Sequence, residues 1–110
     1  MNYTVHVTEF ASRDLDDAFD YIDLLLKNPA AADRLVDLFY EKASSLGTFP
    51  EKFPFVRDSF LAALEIRFLP VDHYMAFYKI DTASHTVSIL RFLYGRSNWS
   101  ATLKNDLLRS

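Results

Sequence analysis

Among the side chains in the second half of the chain with the chemistry to grip a polyanion or move a proton are Arg67, Arg91, Tyr94 and Arg96. A guanidinium meets phosphate oxygens two at a time. A tyrosine can act as an acid or stack on a base. The two strand arginines sit in apolar surroundings, Ile66-Arg67-Phe68-Leu69 and Ile89-Leu90-Arg91-Phe92-Leu93. A charge in that setting needs solvent or a partner. Two readings therefore stand open. Arg67 and Arg91 could form one basic patch. Alternatively, Arg67 could pair with Glu65 or Asp72, and Arg91 with an acid such as Asp81. Tyr94 could equally be an aromatic at the rim of the body.

Other titratable groups point to less. His6, His73 and His85 fall in a strand, a turn and a loop and make no metal constellation. Asp16, Asp17 and Asp20 ride the polar face of a helix, where solvation is the default. The sequence has no cysteine, which excludes disulfides, thiolate zinc sites and cysteine nucleophiles. No cofactor is expected. Net charge is −3 but uneven: residues 1–51 hold ten acids and four bases, residues 52–110 five acids and eight bases. Such asymmetry suggests an acidic or polyanionic partner for the basic half, or acids that simply solvate the helices.

At 110 residues the chain is expected to form one domain over residues 1–110. Two glycines, four prolines and 50% hydrophobic residues describe a globular chain. No apolar run approaches the roughly 18 residues of a membrane span, and the opening Met1 to Val7 does not read as a secretory signal. A cytoplasmic location fits these features.

The elements that must position the candidate residues follow from periodicity. Tyr3, Val5 and Val7 alternate with polar residues, which predicts a half-buried strand. Ala11, Leu15, Ala18, Phe19, Ile22, Leu25 and Leu26 recur at helical spacing. Asn28-Pro29 ends that helix and opens a second, with Asn28 as cap and Pro29 in the first position. The second stripe is Ala32, Leu35, Val36, Phe39, Ala43 and Leu46, closed by Gly47 as a C-terminal cap. Residues 48–60 read as a loop pinned by Phe49, Phe53 and Phe55. Three strands follow: Leu64 to Leu69, Tyr74 to Ile80 and Thr86 to Tyr94, joined by a turn at Pro70 to His73 and a polar loop at Asp81 to His85. Trp99, Leu103, Leu107 and Leu108 predict a short C-terminal helix. The expected fold class is α+β: an N-terminal strand, then an antiparallel helical hairpin packed on a four-stranded, mostly antiparallel sheet. The far face of the sheet is expected to be concave, open and lined by the strand cations.

This layout resembles the RelE/ParE toxins of bacterial type II toxin–antitoxin systems. The likeness runs through Tyr3-Thr4-Val5 and Thr8-x-x-Ala11-x-x-Asp14-Leu15, Leu46-Gly47-Thr48-Phe49-Pro50, His73-Tyr74-x-x-Phe77-Tyr78-x-Ile80-Asp81 and Ile89-Leu90-Arg91-x-Leu93-Tyr94-Gly95-Arg96. It spans nearly the whole chain. The resemblance implies a growth-arresting toxin, neutralised by a cognate antitoxin in a toxin–antitoxin hetero-oligomer. RelE-like members cut mRNA on the ribosome, and ParE-like members inhibit DNA gyrase. For a nuclease, the candidate catalytic residues are Arg67, Arg91, Tyr94 and Arg96. Met75 stands where RelE-like nucleases commonly carry a catalytic arginine, and a thioether neither binds phosphate nor transfers a proton. That departure tilts the expectation toward gyrase inhibition. The alternatives are a ribosome-dependent mRNA endonuclease and an inactive interaction module.

Overall fold

The computed structural model describes residues 2–109. Strand β1 (Thr4–Val7) leads into helix α1 (Glu9–Asp20), which continues as a π-helical turn over Tyr21–Leu25. Helix α2 (Pro29–Ser45) runs back, followed by a 3₁₀ turn (Pro50–Lys52) and a short helix α3 (Ser59–Ala63). Strands β2 (Arg67–Val71), β3 (Tyr74–Asp81) and β4 (Thr86–Tyr94) and helix α4 (Trp99–Arg109) complete the chain. The sheet order is β1-β4-β3-β2, with β1 parallel to β4 and the other pairs antiparallel.

Local chemistry sets the helix starts. The Thr8 hydroxyl accepts from the Ala11 N–H, and it donates to the Ile89 carbonyl at 2.8 Å, so one side chain caps α1 and ties it to β4. Asn28 Oδ1 accepts from the Ala31 N–H ahead of Pro29, as the sequence suggests. Asp58 does the same for α3 through the Leu61 N–H.

Two apolar clusters lie on opposite faces of the sheet. On one face α1 and α2 bury Leu15, Leu35, Phe39 and Leu46 against Tyr78, Ile89 and Phe92. On the other, Val56, Leu61, Ile66 and Leu103 gather around Phe77. Ala76, Phe77 and Tyr78 are thus buried in succession, which explains the nearly unbroken apolar pattern of β3.

This second cluster corrects the expectation of an open far face. The face carrying Phe77, Met75 and Leu93 is covered by α3, α4 and Trp99, whose ring centroid lies 5.0 Å from that of Phe77. Toward one end of that face the rows Thr4, Thr86, Asp81 and His6, Ser88, Lys79, each paired side by side across three strands, present polar groups.

Other expectations also shift. β2 starts at Arg67 and includes Pro70 and Val71, so the turn shrinks to Asp72-His73, with Asp72 at a φ of 56°. Proline is admissible there because β2 is an edge strand. The 48–60 segment holds a 3₁₀ turn and the start of α3, and of Phe49, Phe53 and Phe55 only Phe53 packs on the main core. Phe49 is 62% exposed. Gly47 does not end α2 through a left-handed backbone, since no described glycine has positive φ. A Cβ there would lie 3.1 Å from the Tyr3 carbonyl oxygen and 3.2 Å from that of Ser44, so the close approach of the chain just before β1 favours glycine.

Candidate functional site

The structure does not bring Arg67 and Arg91 together. Arg67 lies opposite Tyr78 on the outer strand. Its guanidinium donates to the Phe53 carbonyl at 2.6 Å and sits 4.3 Å from the centre of the Phe55 ring. It therefore holds down the 3₁₀ segment by a charged hydrogen bond and a cation–π contact, rather than pairing with Glu65 or Asp72.

Arg91 is placed by a bulge. Ile89 and Phe92 both enter the core under the hairpin although three residues apart, which strict alternation forbids. The register slips at Phe77 and Tyr78, so Tyr78 faces Ile89 while Phe77 faces Arg91. Arg91 then reaches over the sheet edge. Its Nε and Nη2 meet both carboxylate oxygens of Asp14 at 2.6 and 2.9 Å, and Nη1 meets Asp106 at 2.9 Å. Asp14 also accepts from the Phe92 N–H at 3.0 Å. With the Arg91 side chain only 17% exposed, this is a clamp joining α1, β4 and α4. The carboxylates hold the guanidinium charged, pushing its pKa further up. Asp81, the partner expected from sequence, instead accepts from the Ala83 and Ser84 N–H groups of its own turn.

Tyr94 and Arg96 lie at the end of β4, both exposed. Among the described residues Arg96 makes no ion pair. Tyr94 packs edge-on against Tyr74, with ring centroids 5.6 Å apart. Tyr74 in turn stacks on Phe92 at 5.0 Å. These tyrosines line a hollow of about 520 Å³ with Tyr21, Ile22, Leu26 and the Asp72-His73 turn. Burial first, and then the neighbouring Tyr21, Tyr94 and Asp72, raise the Tyr74 pKa, so its hydroxyl stays protonated.

The π-helical turn shapes the outer wall of this hollow. The Leu26 N–H bonds to the Tyr21 carbonyl, five residues back, at 3.1 Å. The wider turn rotates the stripe that α1 began: Ala11, Leu15 and Ala18 are buried, whereas Leu25 is 72% exposed and Leu24 and Leu26 are also exposed. Leu25 and Leu26, expected from periodicity in the core, therefore face solvent. The available signal was the run Leu24-Leu25-Leu26, three successive leucines that no single helical stripe can bury.

The site is thus an apolar, tyrosine-floored surface at the tip of the hairpin. It offers contact area rather than a convergent set of catalytic groups, and such exposed patches mark interaction surfaces.

Comparison with known proteins agrees with this architecture. The chain resembles a toxin–antitoxin complex RelBE2 structure from Mycobacterium tuberculosis, with 23% identity over 86% of this chain and 99% of that one, at a TM-score of 0.58. It resembles a chromosomal ParDE toxin–antitoxin structure from P. aeruginosa, with 20% identity over 84% of this chain and 95% of that one, at a TM-score of 0.65. No curated protein matches the chain. The family model for the ParE toxin of the type II toxin–antitoxin system matches residues 5–99, nearly the full run from β1 to the start of α4, and the chain therefore belongs to the ParE toxin family.

Proposed function

We propose that this protein arrests growth by binding DNA gyrase without catalysing a reaction, and that a cognate antitoxin neutralises it. The observation that carries this reading is the fate of the two strand arginines. Arg67 is engaged by the Phe53 carbonyl and Arg91 by Asp14 and Asp106, on different sides of the molecule. RNA cleavage would need groups that converge on one phosphate to stabilise charge and transfer protons. Met75 packs with Leu93 and Phe77 in the second cluster, where it serves as filler. A gyrase target places the protein in the cytoplasm, and a toxin–antitoxin pair of this kind, if plasmid-borne, would stabilise its plasmid.

The experiment is induction without the antitoxin, with transcript 5′ ends mapped within minutes and purified gyrase assayed for supercoiling in parallel. The expected result is growth arrest, intact transcripts and inhibited supercoiling. New cuts at fixed codon positions, absent when translation is blocked, would make it a ribosome-dependent mRNA endonuclease. Normal growth with folded protein would reduce it to an inactive interaction module.

A further inference from the structure

The outer edges of the sheet are closed on β2 and on the upper part of β4, and open on β1. On β2 the Phe68 N–H donates to the Pro54 carbonyl at 3.2 Å, and the Ile66 carbonyl accepts from the Val56 N–H at 2.9 Å. Pro70 has no N–H, and its carbonyl accepts from the Lys42 ammonium at 3.1 Å. On β4 beyond the end of β1, Asp14 accepts from the Phe92 N–H at 3.0 Å and the Thr8 hydroxyl donates to the Leu90 carbonyl at 3.1 Å. β1 is different. Thr4 and Thr8 donate their N–H groups to the His85 and Ile89 carbonyls on the β4 side, so by the alternation of a ladder Val5 and Val7 turn theirs outward. Neither the N–H nor the C=O groups of Val5 and Val7 meet a backbone partner there among the described residues. The strand also lacks the usual protections of an edge, since Thr4-Val5-His6-Val7 holds no lysine, no proline and no acid.

We propose that β1 pairs antiparallel with β1 of a second copy of this chain, joining two four-stranded sheets into one. Room selects that occupant first. The open stretch ends at Tyr3, whose N–H is taken by the Gly47 carbonyl at 2.7 Å, and at Thr8, which caps α1. An added strand can pair over little more than the four residues of β1 itself, which is the length a second copy supplies. Self-complementarity selects it next. About a twofold axis through His6, Val5 lies opposite Val7 of the other copy, and the two valine pairs exchange four backbone hydrogen bonds. Valine meets valine on the side of the main core, and His6 meets its own equivalent on the far face. The seam sets no acid against an acid. The outer surface of α1, with Asp16, Asp17 and Asp20 exposed, would instead repel its own copy. Four residues a side bury far less than the roughly 1,200 Å² of a standard stable interface, so the dimer is weak and forms at high concentration.

The test is sedimentation equilibrium of the purified full chain from about 10 μM to about 1 mM, with amide hydrogen exchange followed by NMR at both ends of that range. Val5→Pro removes an outward N–H that β4 does not use, and proline is admissible on an edge strand. His6→Lys changes an exposed side chain and sets like charges opposite each other across the seam. Leu108→Asp, at a side chain 85% exposed on α4, serves as a surface control. The average mass should climb from 12.7 kDa toward twice that value. The Val5 and Val7 amides should be protected at the upper concentration alone. His6→Lys and Val5→Pro should each raise the dissociation constant tenfold or more, and Leu108→Asp should leave it unchanged. A chain that stays monomeric throughout, or dimers whose Val5 and Val7 amides exchange as fast as in dilute solution, would overturn the proposal. So would dimers abolished by Leu25→Asp but not by His6→Lys, which would move the contact to the hairpin tip. If Val5→Pro does not fold, His6→Lys and the exchange rates decide the question. The readout needs no growth phenotype, so the toxin reading stands or falls separately.

Discussion

Arg91 and Tyr94 stand three residues apart on β4 and have opposite fates. Arg91 is closed in by two carboxylates from two helices, and its side chain is 17% exposed. Tyr94 ends the same strand 45% exposed beside a hollow. The same contrast separates Tyr78, wholly buried with its hydroxyl donating to the Pro50 carbonyl at 2.7 Å, from Tyr21 and Tyr94 at the surface. Polar groups near the sheet are answered from within the chain, whereas apolar groups at the hairpin tip are left for something else to cover. The lesson is that a charge among apolar residues marks internal wiring here, and that the uncovered apolar surface is the better pointer to function.

The sharpest way to break this contrast is to remove Arg91. Arg91→Ala leaves Asp14 and Asp106 partly buried without their cation, and stability should fall by about 3 kcal/mol, read from denaturant midpoints. A loss near zero would show that the clamp is ornamental and free Arg91 for a role at the surface. Next comes Leu25→Asp, expected to leave stability within about 0.5 kcal/mol because the side chain is exposed. The same change should weaken antitoxin binding tenfold or more, measured by calorimetry. A destabilised variant would mean that the π-turn leucines belong to the core after all.

Tyr78→Phe tests the closed side more gently. It strands the Pro50 carbonyl and should cost roughly 1 kcal/mol at neutral pH. It also carries a pH signature. Burial raises the Tyr78 pKa from 10.0 to about 12. A raised pKa means that folding favours the protonated phenol, so its contribution is complete below 10 and disappears as pH rises through about 12. The wild type should lose stability across that window by an amount that Tyr78→Phe does not, in denaturation followed at stepped alkaline pH. The smallest effect is expected at the α3–α4 junction. The Lys104 ammonium at 2.7 Å, helped by the Leu61 N–H, holds Asp58 below the ordinary carboxylate range. Its contribution is present above the unfolded pKa of 3.8 and is lost as pH falls through the lower folded value. Lys104→Ala should shift the acid transition slightly upward, seen in Trp99 fluorescence, with little change at neutral pH.

Much of the fold was legible from local rules. The alternation of β1, the Asn28-Pro29 break, the stripe of α2 and the apolar run of β3 each follow from the residues in place, because period and capping are properties of neighbours along the chain. The candidate site was much less legible. The positions of Arg67 and Arg91 depend on pairing register, and register depends on a bulge that no local pattern announces. α3 was missed because its five residues are too short to show a period. The cover on the far face was missed because it requires α3 and α4 to meet Phe77 from distant parts of the sequence.

By itself, then, the sequence determined an α+β domain with a helical hairpin before three strands, and carried the words that identify its family. Tertiary structure decided which arginines are spent on carbonyls and carboxylates, which leucines leave the core, and where tyrosines from the π-helical turn, β3 and β4 meet. The physical reason is range. Helical period, capping and strand alternation act over a few residues, whereas the partners of a charge and the closure of a groove are set only when segments some 77 residues apart, such as Asp14 and Arg91, are brought into contact.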